Sequence, residues 1–275
     1  MTARRLVANV VLHAALIAGA VLAAAPLLWM VSASFMPAGE ASTYPPRVLP
    51  TTPTLDHYRE LFARENLARY ALNSALIAFL VTGISLVINS MAGYAFAKFR
   101  SRARDGVFRL LLAALVIPTQ VAMLPLFLLL KQLGLINTYL GVIVPSMATI
   151  FGIFLVRQFA LAIPDSLLDA ARIDGAGELR IYRSIVLPVI RPILVTLAIF
   201  TFMTAWNDFM WPLIVLTDGS MYTLPVALAN LSGEHVQDTE LMMAGSVLTI
   251  LPVMLVFVWL QRFYVAGVTA GSVKA

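Results

Sequence analysis

Six blocks of about twenty or more mostly apolar residues divide this chain, and each is long enough to cross the ~30 Å hydrocarbon layer of a bilayer as a helix. They run roughly from Ala8 to Ser34, Ala71 to Ala97, Val107 to Leu130, Tyr139 to Phe159, Ile193 to Leu216 and Leu241 to Leu260. The last contains "LMMAGSVLTILPVMLVFVWL", without a single charge. Of the 275 residues 60% are hydrophobic and 12% charged, against about 25% charged in an ordinary soluble domain. The apolar residues come as continuous blocks, not as the stripes of a soluble helical bundle. Lipid offers the backbone no hydrogen-bond partners, so spans of this length must be helices. The expected fold is an all-α membrane protein with six transmembrane helices.

The first block follows Arg4 and Arg5 and ends in an alanine-rich stretch, Ala23 to Ala25, as a secretory signal does. A signal core is only about 7–15 residues long. This run is far longer, so an uncleaved first span is expected.

Lys and Arg set the orientation. With the N-terminus inside, the cytoplasmic segments hold Arg4, Arg5, Lys98, Arg100, Arg102, Arg104, Arg109, Arg157, Arg172, Arg180, Arg183, Arg191, Arg262 and Lys274. Of the 19 basic residues, that leaves only Arg47, Arg59, Arg64, Arg69 and Lys131 outside. The stretch between the fifth and sixth spans has Asp218, Glu234, Asp238 and Glu240 and no cation. Both termini are therefore expected in the cytoplasm. The pI near 9.7 then reports topology and contact with anionic lipid, not a nucleic-acid partner.

Several chemistries are excluded. There is no cysteine, hence no disulfide and no thiolate metal site. His13, His57 and His235 are far apart in sequence. No paired acids, His–acid cluster or Ser/Lys dyad lies within a span, and no cofactor is expected. No G-x-x-x-x-G-K-[ST] occurs, so the chain does not bind ATP through a P-loop.

One domain is expected over residues 1–275, with two long loops. The outer loop, about 36–69, contains "YPPRVLPTTPTLDHY" and reads as an irregular cap before a short helix near Leu55 to Phe62. The inner loop, about 160–192, ends in "DAARIDGAGELRIYRSIVLPVIRP", Asp169 to Pro192. Pro164-Asp165-Ser166 reads as a helix start with an acid at its positive end. Leu167, Leu168, Ala171 and Ile173 fall on one face at spacings of three and four. Gly175 supplies a position that tolerates positive φ. Glu178 begins a second helical piece with Ile181, Tyr182 and Ile185 on its apolar side, and Pro188 and Pro192 are expected to break it before the fifth span. Such a helix suits a groove on another protein and equally a bed of lipid headgroups.

That segment resembles the EAA loop of the membrane subunits of bacterial ABC importers. Ala170, Ala171, Asp174, Gly175, Ala176, Ile185, Leu187, Pro188 and Pro192 stand in register, with Asp169 for the pattern's Glu and Tyr182 for its Phe. "AWNDFMWPLIVLTD" from Ala205 to Asp218, "TLPVAL" and the ending "LQRFYVAGVTAGSVKA" are similar to the maltose-type carbohydrate permeases, most of all to their six-span partner. The resemblance covers essentially the whole chain and is weakest in the outer loop.

The resemblance implies a type I ABC importer permease in the bacterial inner membrane. Asp169, Ala170, Ala171, Asp174, Gly175 and Ala176 would meet the ATP-binding subunit dimer. Tyr182, Leu187 and Pro188 would join that helix to the fifth span. A second permease subunit, an extracytoplasmic solute-binding protein and a sugar complete the implied partners.

Asp208 is the one acid well inside an expected span, and an intramembrane carboxylate is a functional hypothesis by default. Trp206, Asn207 and Trp211 beside it have the chemistry of sugar recognition: aromatic faces for rings, amide and carboxylate for hydroxyls. Helix packing and the interfacial aromatic belt account for the same residues. Asn73, Asn89, Thr119, Gln120 and Met123 are further path candidates, the last three between Pro118 and Pro125. A glycerol phosphate or polyol importer of the same fold is the runner-up. An ion-driven transporter would need more intramembrane carboxylates than Asp208 alone.

Overall fold

The computed structural model describes residues 3–99, 101, 103–234 and 238–270. Arg100, Arg102 and Lys274, counted above for orientation, and His235 lie outside the described residues. Among the described residues every regular element is helical. The chain divides into two compact units, Met1–Ala68 with Ala227–Leu251 and Arg69–Val226 with Pro252–Ala275.

In the first unit, α1 (Ala3–Ala33) supplies a 25-residue apolar span, Asn9–Ala33. The loop after it leads to the short α2 (Asp56–Ala63) where the sequence places one. The buried carboxylate of Glu40 holds this loop by accepting the Thr51 N–H and a bond from Arg47. The His57 Nε2–H donates to the Met36 carbonyl at 2.9 Å. Glu240 does not belong to an acidic surface loop: it lies in the first turn of the last helix (Thr239–Ala270), fully buried, where it accepts the Ala41 N–H at 2.6 Å.

The second unit carries the functional segments. Its long helix α3 (Leu67–Lys98) has 32 residues, about 48 Å at 1.5 Å per residue. That exceeds the ~30 Å a span needs.

The third expected span, Val107 to Leu130, is not one helix. It is α4 (Arg104–Ala114) and α5 (Thr119–Gln132), bent by 107°. Pro118 causes the break. It disfavours helical ψ at Ile117, and the preceding turns tighten to i→i−3 bonds, such as Ile117 N–H to the Ala114 carbonyl.

The fourth span, Tyr139–Leu161, consists of α6 (Tyr139–Ser146) and α7 (Ile150–Leu161). Each begins at a threonine N-cap. Thr138 accepts the Gly141 N–H and Thr149 the Gly152 N–H, both at 3.1 Å.

After α8 (Asp165–Ile173) the chain turns and enters α9 (Glu178–Ile181). The expected breaks at Pro188 and Pro192 do not occur. A π-helical turn, Tyr182–Val186, joins α9 to α10 (Leu187–Trp206) without interruption. The wider turn closes with the Leu187 N–H on the Tyr182 carbonyl. Pro188 falls in the first turn of α10, where a missing N–H is least costly. The fifth span is thus Glu178–Trp206, earlier at both ends than Ile193 to Leu216. Beyond it come α11 (Met210–Val215), α12 (Leu224–Glu234) and α13 (Thr239–Ala270). Among the described residues, five helices, or six if α4 and α5 form one span, are long and apolar enough to cross a membrane.

Candidate functional site

The segment around Gly175 is built as two short helices on a glycine turn. Gly175 has φ +81°, a left-handed conformation that side-chain-bearing residues rarely adopt. The Ala176 N–H reaches back to the Ala171 carbonyl at 2.9 Å, the closure of a Schellman motif, which satisfies carbonyls left open at the helix end. The expected apolar face of α8 divides. Leu168 is buried and Ala171 half-buried, while Leu167 and Ile173 point outward, Ile173 with 86% of its surface exposed. Leu168 packs with Ile163, Ile181, Tyr182, Val186 and Ile190 in one core. Asp169, Ala170, Asp174 and Gly175 are exposed, and Ala176 is half-buried. Tyr182 is buried in the π-turn, Leu187 is half-buried and Pro188 is exposed.

Charges fasten this segment from within and from α3. Arg172 donates to Glu178 at 2.8 Å and to Asp169 at 2.7 Å. These bonds, the one to Glu178 first, raise the proton affinity of a guanidinium that is already fully charged. From α3, Tyr94 donates to the other Glu178 oxygen at 2.9 Å, and the Ser90 and Tyr182 hydroxyls share a proton at 2.6 Å. Lys98 donates to the Ile163 carbonyl at 2.5 Å and to Asp165 at 2.7 Å. None of Ser90, Tyr94 or Lys98 was singled out as a site residue from the sequence, and Lys98 was counted only as an orientation charge. The available signal was their spacing of four, which stacks them on one face near the end of an overlong helix.

A cavity of roughly 540 Å³ lies where three interruptions meet. Ala114, Leu115, Ile117 and Thr119 come from the break between α4 and α5. Pro145, Ser146, Ala148 and Thr149 come from the break between α6 and α7. Thr201, Thr204, Ala205 and Asp208 come from the end of α10 and the residues after it. Among the described residues no Lys or Arg lines it.

Of the path candidates named from sequence, only Thr119 and Asp208 line this cavity. The Asp208 carboxylate accepts the Trp211 N–H at 3.3 Å, capping α11. Trp206 is buried and stacked on Phe202. Trp211 is buried too, its indole N–H on the Gly141 carbonyl at 3.1 Å. Asn207 turns back to the Met203 carbonyl at 2.8 Å. Asn89 is fully buried and fastens α3 to the start of α7, donating to Thr149 Oγ1 at 3.2 Å and accepting the Thr149 N–H at 3.0 Å. Gln120 is exposed at the start of α5, and Met123 packs against the Trp211 core.

Residues 89–270 match the family described as binding-protein-dependent transport system inner membrane component. The chain belongs to that family. The chain is 40% identical over 258 residues to the arabinooligosaccharides transport system permease protein AraQ of Halalkalibacterium halodurans, covering 93% of this chain and 92% of the relative. It is 34% identical to the lactose transport system permease protein LacG of Rhizobium radiobacter, over 99% of both chains. The sn-glycerol-3-phosphate transport system permease protein UgpE of Brucella abortus is 32% identical, over 97% and 98%. The fold matches that in the crystal structure of a bacterial ABC transporter involved in the import of the acidic polysaccharide alginate. The TM-score is 0.85 at 22% identity, over 96% of this chain and 99% of that one.

This inner-membrane component is a multi-pass permease subunit of an ABC importer. The family region begins at Asn89 and takes in the glycine-turn segment together with the breaks that frame the cavity.

Proposed function

We propose that this permease carries an uncharged, hydroxyl-rich solute of the sugar class and is driven by a separate ATP-binding subunit dimer. The observation that carries the solute class is the cavity lining. Thr119, Ser146, Thr149, Thr201 and Thr204 offer hydroxyls and Asp208 a carboxylate, with no cation among them. A phosphate ester entering this space would meet a carboxylate without a Lys or Arg to offset it, at a depth where charges are costly. The relatives named for arabinooligosaccharides and lactose support the same reading. The glycerol-phosphate relative is the reason to test it.

The segment from Asp165 to Tyr182 docks on the ATP-binding subunit. Leu167, Ile173 and Leu179 are exposed apolar side chains set among Asp169, Asp174 and Arg180, the arrangement that fills a groove on a partner protein. Asp169, Ala170, Ala171, Asp174, Gly175 and Ala176 form or shape the docking surface. Tyr182, Leu187 and Pro188 carry it into the fifth span. Residues 1–275 act as one permease domain with this loop, about 160–192, and both termini in the cytoplasm, and with the loop at about 36–69 outside. A second permease subunit completes the path. A solute-binding protein delivers the sugar; the fold likeness (TM-score 0.65) to an alginate transporter solved with a pentasaccharide-bound periplasmic protein supports that partner.

Uptake into vesicles holding the whole transporter separates the readings. Neutral pentose or hexose oligosaccharides, but not glycerol 3-phosphate, are expected to drive ATP-dependent accumulation. Uptake of glycerol 3-phosphate alone would overturn the sugar assignment.

A further inference from the structure

The contacts of α3 form a continuous line from the glycine-turn segment to the cavity. At one end Lys98, Tyr94 and Ser90 hold, in order, the start of α8, the Glu178 carboxylate at the start of α9, and Tyr182 in the π-turn. The Lys98 side chain is only 6% exposed. Glu178 adds the cross-link within the segment, because its second oxygen takes Arg172 from the last turn of α8. Next along α3, Asn89 grips both the N–H and the hydroxyl of Thr149, and Thr149 lines the cavity. Every link is a direct hydrogen bond or ion pair of 3.2 Å or less, and Ser90 and Asn89 are neighbours in the chain.

We infer that α3 is a transmission rod between the docking segment and the cavity, acting alongside the continuous α9–α10 helix, with Tyr94, Glu178, Lys98 and Asn89 as its positioning residues. The inference rests on the docking reading above. Two attachments have a physical consequence. A segment tied to α10 alone swings about the π-turn; one tied also to α3 at successive turns moves as a block. The wall made by residues 145–149 is reached through Asn89, and the wall made by Thr201 to Asp208 through α10. Energetic coupling between distant sites needs such a chain of packed, hydrogen-bonded elements with two arrangements.

The absence of cysteine makes the test direct. Single reporters, Ala148→Cys on the α3-linked wall and Thr204→Cys on the α10 wall, are placed in the transporter assembled with its ATP-binding subunits. The rate of maleimide labelling is compared with and without ATP and vanadate. Tyr94→Phe, nearly isosteric and outside the docking segment, is expected to reduce the nucleotide-dependent change at position 148 about tenfold, the equilibrium weight of one hydrogen bond to a charged group. The change at position 204 is expected to persist, with the ATPase still bound. Asn89→Ser gives the same pattern from the other end of the line. A full response at 148 in these variants overturns the inference, and so does equal loss at both reporters with the ATPase bound. Failure of the docking reading is separate: Ile173→Asp would then leave ATPase retention and both labelling changes intact.

Discussion

Tyr94 donates its hydroxyl to Glu178 at 2.9 Å, joining the end of one membrane helix to the start of another 84 residues later in the chain. Through Arg172 the same carboxylate also holds α8. The segment proposed to dock is thus braced on two spans rather than hinged on one, and the behaviour expected of variants on either side of that bond follows from the bracing.

At Gly175 the strain is in the backbone alone, since an added Cβ meets nothing within 4 Å but φ is +81°. Gly175→Val is expected to cost about 1–3 kcal/mol at the turn and to reshape the exposed end of α8. The permease should reach the membrane at normal level, with solute-stimulated ATP hydrolysis lost. Normal stimulation would mean that the turn conformation does not matter for docking.

Asp208→Asn retains an acceptor for the Trp211 N–H and removes the only charge that the described residues bring to the cavity wall. Assembly is expected to be normal while the apparent KM for uptake rises. An unchanged KM would leave Asp208 only its capping role.

Gly152 sits where α7 starts against α3. A Cβ there would lie 2.5 Å from Asn89 Nδ2 and 2.6 Å from Thr149 Oγ1. Gly152→Ala is expected to disrupt the buried Asn89–Thr149 bonds, at about 1–3 kcal/mol for each polar group left unsatisfied. The readout is a lower melting temperature of the detergent-solubilised permease. Gly233→Ala, in open space, is the control expected to be silent.

Orientation is read with reporters. A fusion after Phe159 is expected on the cytoplasmic side and one after Ser232 on the outside. The reverse result would turn the docking segment away from any ATPase.

Much of this architecture is legible in the sequence, for reasons that particular residues show. Long apolar blocks announce the spans because nothing else accommodates them, and Gly175 announces its turn because few other residues tolerate that φ. Pro118 and Pro188 show the limit. Both read as breakers, yet only Pro118 bends the chain, by 107° between the flanking helices, because a π-turn ahead of Pro188 absorbs the missing donor. Trp206 and Trp211 have the chemistry of sugar binding, but packing turns both inward. Ser90, Tyr94 and Lys98 escape notice because their partners lie 65 to 92 residues away. No local pattern encodes a pairing at that range. The same holds for the cavity, whose walls come from interruptions in separate spans.

The most direct test of the docking segment uses its most exposed apolar side chain. Ile173→Cys, the only cysteine in the permease, is labelled with a benzophenone maleimide in the assembled transporter and irradiated. The account predicts a crosslinked product of permease and ATP-binding subunit whose yield changes with ATP, while the same probe at Leu55→Cys gives none. A crosslink from position 55 but not from 173, or a position 173 adduct only with lipid, would contradict it.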